Sequence, residues 1–182
     1  MQSIEKQIEK AINSKAKGRI ILPSDFISFG SSEAIRKALD RLENRKVILR
    51  VAHGIYVRPK ISKLIGLQMP TAEEVAESIA KRDRIRIVPT GIYALNALGL
   101  STQVPMNIVF LTDGSPREIK IGKRKIKFKK STPKNLVSKG RICGLVIQAL
   151  KEIGYGNVSN EEELKIINLL KKEEEKVLIH DL

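Results

Sequence analysis

Arg36, Lys37 and Arg41 share a short segment with Ser31 and Ser32, and these side chains together have the chemistry of an anion reader. A planar guanidinium donates two parallel hydrogen bonds, which suits the O6 and N7 of guanine. Ser31 and Ser32 stand where a helix begins, and the backbone N–H groups of a helix start favour phosphate. A little downstream, Arg50, His53, Arg58 and Lys60 flank an Ala52-His53-Gly54 turn. Cations on so small a turn gain from the field of a nucleic-acid backbone or a minor groove. A third group comprises Lys120, Lys123, Arg124, Lys125, Lys127 and Lys129. Ile119, Ile121, Ile126 and Phe128 alternate with four of these lysines, so a strand pair here is apolar on one face and cationic on the other. Such a face suits nucleic acid or an acidic protein; it equally discourages edge-to-edge aggregation.

The elements that would position these groups follow from periodicity and punctuation. Ile4, Ile8, Ala11 and Ile12 lie on one face of a first helix over Ser3–Lys15, ended by Gly18. Arg19–Leu22 is extended, and Pro23–Phe26 starts a second short helix that Gly30 breaks. Ser31 then caps a third helix, Ser32 to Asn44, with Ile35, Ala38, Leu39 and Leu42 on its apolar side. Strands over Val47–Val51 and Ile55–Arg58 complete the layout of a winged helix-turn-helix, a module that docks on duplex DNA.

Beyond it, Pro59–Pro70 reads as a linker. Thr71 caps a helix over Ala72–Lys81 that buries Val75, Ala76 and Ile79. A strand at Arg86–Val88, a helix at Ile92–Leu98 and a strand at Asn107–Thr112 come next. The turn Asp113–Pro116 precedes a hairpin over Glu118–Lys130, folded at Gly122-Lys123, and helices over Leu145–Ile153 and Glu161–Glu175 close the chain. The expectation is an α+β protein with two domains. Residues 1–62 form the winged helix-turn-helix; residues 70–182 form a mixed α/β domain with a small antiparallel sheet and C-terminal helices.

The bulk numbers point the same way. The 182 residues carry a formal net charge of +14, which favours a polyanionic partner. Residues 115–141 hold eleven Lys or Arg against the single acid Glu118, whereas the stretch from Val158 onward holds seven acids against four bases. Aromatics make up 4% and Trp is absent, so the cores are built from Ile, Leu and Val. Cys143, the single cysteine, excludes an internal disulfide and a multi-cysteine zinc site, and its apolar surroundings mark it as a buried structural thiol. There is no apolar run of the roughly 20 residues that span a bilayer, and the charged MQSIEKQIEK start lacks a signal-peptide core. The expected location is the cytoplasm. No phosphate-loop, zinc-protease, nucleophile-elbow or dinucleotide signature occurs, and Asp113 is first of all a turn residue. We therefore expect no enzymatic activity, cofactor or metal.

The strings SIEKQIEKAI, FGSSEAIRKALDRLENRKVI and HGIYVRPK resemble the winged-helix domain of AbiEi-like antitoxins. RIVPTGIYALNALGLSTQVPMNIVFLTDGSPREIKIGKRKIKFKK resembles the domain that follows it in that family, with VPTGIYALNALGLSTQVP and FLTDGSPR the more specific parts. The resemblance implies a type IV toxin–antitoxin system of a bacterium or archaeon. Its N-terminal domain would repress its own operon by binding promoter DNA; its C-terminal domain would help counteract a toxin with a nucleotidyltransferase-like fold. By position, the DNA contacts implied are Ser31, Ser32, Arg36, Lys37, Arg41, His53 and Arg58. Two other readings stay open: an RNA-binding module using the lysine-rich hairpin, and a winged-helix regulator with no antitoxin role.

Overall fold

A computed structural model describes residues 2–136, 138 and 140–173. The chain divides into two compact units, Met1–Arg82 and Asp83–Leu182.

The first unit opens with helix α1 (Ile4–Ser14), whose cap Ser3 accepts a hydrogen bond from the Lys6 N–H and whose Ile8 and Ile12 are fully buried. Strand β1 (Ile20–Ile21) leads into a 3-10 turn, Pro23–Phe29, kinked at Phe26. Helix α2 runs over Ser32–Asn44 and buries Ile35, Ala38, Leu39 and Leu42, the four positions its periodicity selects. It ends abruptly. Lys46 adopts a left-handed conformation (φ 58°), its N–H donates to the Glu43 carbonyl, and the Val47 N–H donates to the Leu42 carbonyl. This pair of bonds turns the chain straight out of the helix. Strands β2 (Leu49–Ala52) and β3 (Ile55–Val57) follow, and the sheet order is β1-β3-β2, antiparallel throughout. Ile8, Ile12, Ile21, Phe26, Ile35, Leu39, Leu42, Ile48 and Tyr56 form one core under these elements. The arrangement is a winged helix-turn-helix, with His53-Gly54 at the wing tip.

The stretch read as a linker, Pro59–Pro70, is instead a second hairpin of β4 (Lys60–Ser62) and β5 (Gly66–Gln68), paired Ile61 to Leu67. Helix α3 (Ala72–Asp83) is capped by Thr71 as expected, and Glu74 completes a capping box: the Glu74 N–H donates to Thr71 Oγ1 and the Thr71 N–H donates to Glu74 Oε2. Most of α3 belongs with the first unit, where Glu74, Glu77 and Lys81 face Gly18–Asp25 across a cleft of about 510 Å³. The division therefore falls after Arg82, not between residues 62 and 70.

In the second unit, β6 (Ile87–Pro89), α4 (Ile92–Ala97), β7 (Asn107–Thr112), β8 (Arg117–Ile121) and β9 (Arg124–Lys130) precede a 3-10 turn at Pro133–Leu136. The sheet order is β6-β7-β9-β8. Its two outer pairs are antiparallel as expected, and the inner pair β7–β9 is parallel, in register Phe110 to Phe128. Inserting β9 beside β7 stacks those two rings, 5.9 Å between centroids, and buries Ile126 and Phe128 at the middle of the sheet. Helices α5 (Arg141–Ile153) and α6 (Asn160–Leu170) pack with α4 around Ala94, Leu98, Leu145, Val146, Ala149 and Ile166. The α5 helix starts four residues earlier than expected because the Glu173 carboxylate accepts hydrogen bonds from the Ile142 and Cys143 N–H groups. Helix α6 ends at Leu170, short of the expected Glu175, where the Lys171 N–H closes the last turn on the Ile167 carbonyl; residues 174 and 175 lie outside the described residues.

Candidate nucleic-acid interface

The exposed side of α2 is anchored from behind by its four buried apolar residues, which set where the helix presents its outward residues. Ser31 Oγ accepts the Ala34 N–H at 3.3 Å and so serves as the N-cap, with Ser32 beside it in solvent. Arg36 is exposed, and no ion pair engages it among the described residues. Lys37 pairs with Glu33 one turn back, 2.7 Å apart, and both remain about two-thirds exposed. An exposed pair of this kind contributes little to stability and yields readily to a competing phosphate. Arg41 is drawn toward α1 by Glu5 at 3.3 Å, and Arg45 is held by Glu5 and Glu9 at 3.1 and 2.8 Å. Hydrogen bonds donated by Arg45 to Glu9 and then to Glu5 raise its pKa above its ordinary value.

The wing residues divide differently from the expectation. Arg50 is a clamp between sheet and helix. Its guanidinium donates to Glu43 at 2.9 Å, to Asp40 at 2.8 Å and to the Tyr56 hydroxyl at 3.2 Å, and it lies 5.2 Å from the Tyr56 ring centroid. The hydrogen bond to Glu43 raises its pKa further, while burial first, then the neighbouring Asp40 and Glu43 carboxylates against the opposing Arg50 charge, raises that of Tyr56. Arg58 donates to the Lys15 carbonyl at the end of α1. Both arginines were expected on DNA; in the structure Arg50 joins the wing to α2 and Arg58 joins it to the end of α1. His53 and Lys60 do stand exposed, and the Lys60 stem lies against Gly18, whose φ of +82° a side chain would strain.

The lysine-rich hairpin keeps its expected faces. Lys120, Lys123, Arg124, Lys125, Lys127 and Lys129 are exposed, and Ile126 and Phe128 are buried beneath them. Lys120 lies directly opposite Lys125, a like-charge pairing that costs stability. Glu118 bonds Lys125 at 2.9 Å. That hydrogen bond, followed by the charges of Lys125 and Lys127, holds the Glu118 carboxyl below its usual pKa. Arg117 faces the other way, paired with Asp83 and lying over the Phe128 ring. Asp113 accepts the Arg86 N–H at 2.8 Å, which makes it the brace of its turn. Among the described residues no helix is long and apolar enough to cross a membrane.

The sequence reading missed the cation engagement on α2. Glu5 and Glu9 at i, i+4 spacing were a visible signal of it, since α1 and α2 share one core. A family model covers residues 7–178, and the chain belongs to that family, described as a family of unknown function (DUF6088). No curated protein matches the chain.

Proposed function

We propose that this member of the family binds duplex DNA through α2 and the wing, represses its own operon, and acts as the antitoxin of a type IV toxin–antitoxin pair. The observation that carries the DNA reading is the exposed Arg36, without an ion-pair partner among the described residues, beside Lys37 on the outward side of a helix whose inner face is buried. Ser31 and Ser32 at the helix start, His53 at the wing tip and Lys60 are exposed in the same unit. In this reading Arg36 reads a base edge, Lys37 exchanges Glu33 for a phosphate, and the wing residues follow the backbone. The antitoxin role, exercised in the cytoplasm against a nucleotidyltransferase-like toxin or its target, rests on the resemblance of VPTGIYALNALGLSTQVP and FLTDGSPR alone.

A second reading assigns RNA to the lysine sheet, favoured by the like-charge Lys120–Lys125 pairing. Against it, the nearest aromatic, Phe128, is buried, leaving no ring on that face for base stacking. The deciding experiment is an anisotropy titration on the gene's own upstream duplex, with random duplex and single-stranded RNA as competitors at two salt concentrations. Binding that survives random competitor supports the regulator. Preference for RNA supports the second reading, and equal, salt-labile binding to every polyanion defeats both. For the antitoxin half, co-expression with an adjacent nucleotidyltransferase-like gene should restore growth.

A further inference from the structure

The β4–β5 hairpin displays an apolar surface on a basic stem. Leu64 is 95% exposed, Ile61 77% and Ile65 72%, with Leu67 and Met69 about half exposed. Ile61 and Leu67 are cross-strand partners and so share one face of the ribbon. The tip has a defined shape: Ser62 Oγ accepts the Leu64 N–H at 3.2 Å, and Gly66 closes the turn at a φ of +71° with open space around it. Exposed apolar residues contiguous on a shaped loop mark a contact surface.

The charge around the hairpin identifies the partner. Between Glu43 and Glu73 the chain has no acid; Arg45, Arg50 and Arg58 in this stretch are engaged elsewhere, which leaves Lys60 and Lys63 as the hairpin's own cations. Lys60 and Lys63 lie on the hairpin itself, exposed beside the apolar tip. A ribbon of nine residues also offers far less than the roughly 800 Å² per partner of a stable protein interface. An apolar tip on a cationic stem suits a nucleic-acid groove, where Leu, Ile or Met wedges open base steps while lysines meet the flanking phosphates.

We infer that β4–β5 is a second, trailing wing that enters the minor groove of the bound duplex and presses Leu64 and Ile65 against a base step, bending the DNA. This rests on the DNA-binding reading above and adds a bend to it. The test uses the full-length protein and its upstream duplex with a fluorescence-transfer dye at each end. Wild type should raise the transfer on binding. The double variant Leu64→Ser/Ile65→Ser, whose side chains are solvent-exposed, should keep its melting curve, bind about tenfold more weakly and give no rise at saturation. Arg36→Ala should bind weakly yet still raise the transfer at saturation.

Wild type that binds without bending, or a double variant that bends as wild type does, overturns the wedge and leaves DNA binding standing. A double variant that bends normally but changes sedimentation from dimer to monomer assigns the hairpin to self-association, again overturning it. Wild type that binds no duplex at all defeats the wedge and the DNA-binding reading together.

Discussion

The two basic regions are built on different terms. In the winged unit, most cations near the candidate interface have an acid or carbonyl of their own: Arg41 and Arg45 on α1 carboxylates, Arg50 on Asp40 and Glu43, Arg58 on Lys15. On the sheet of the second unit, Glu118 is the one acid of the hairpin, and two lysines face each other across the strands. Net charge counts both regions alike. Only partner geometry separates a cation that holds the fold from one left to meet a ligand, and by that measure the proposed helix interface narrows to Arg36.

The largest expected effect tests that separation directly. Arg36→Ala should weaken upstream-duplex binding by about 1–3 kcal/mol while leaving the melting temperature in place. Unchanged affinity in an anisotropy titration would remove Arg36 from the interface. Arg50→Ala should do the reverse. Losing the clamp on Asp40, Glu43 and Tyr56 should lower stability by about 1–2 kcal/mol, after allowance for solvent screening at this half-exposed site. Urea denaturation measures it, and a stable variant with impaired binding would return Arg50 to the DNA-contact set.

Smaller effects sharpen the sheet side. Lys120→Ala relieves the repulsion from Lys125 and should raise the melting midpoint slightly, on the order of 1–2 °C. A fall instead would show that the Lys120 stem packs usefully. The smallest effect concerns pH. Because the Glu118 pKa is lowered in the folded protein, its contribution is full above the usual carboxylate range and disappears as pH falls through the folded value. Melts taken stepwise into acid should show this loss in wild type and less of it in Glu118→Gln; identical curves would leave the Glu118–Lys125 bond without weight.

What the sequence made legible was local. Ser31, the Ile35–Leu42 spacing and the Thr71 cap specify helices within one or two turns, and the structure has them at those residues. The alternation of Ile126 and Phe128 with lysines likewise fixed the two faces of β9. The parts that escaped depend on distant partners. Nothing near Arg141 announces that Glu173 will cap α5, and nothing near Arg58 points to the Lys15 carbonyl. The β4–β5 hairpin was hidden for another reason. Its apolar residues stay exposed, so Pro59–Pro70 has the mixed polarity of a linker. The site was legible as a list of cations and illegible as to which were already engaged.

The insertion of β9 between β8 and β7 also sets an order of assembly. Residues 117–130 can close as a hairpin across the short Gly122-Lys123 turn at little loop-closure cost. The parallel β7–β9 ladder cannot form that way, since Asn107–Thr112 must meet a strand that returns only after β8. The hairpin is thus expected to close first and β7 to join it later. A change at Gly122 should slow folding, whereas a truncation of Val109 on β7 should mainly hasten unfolding.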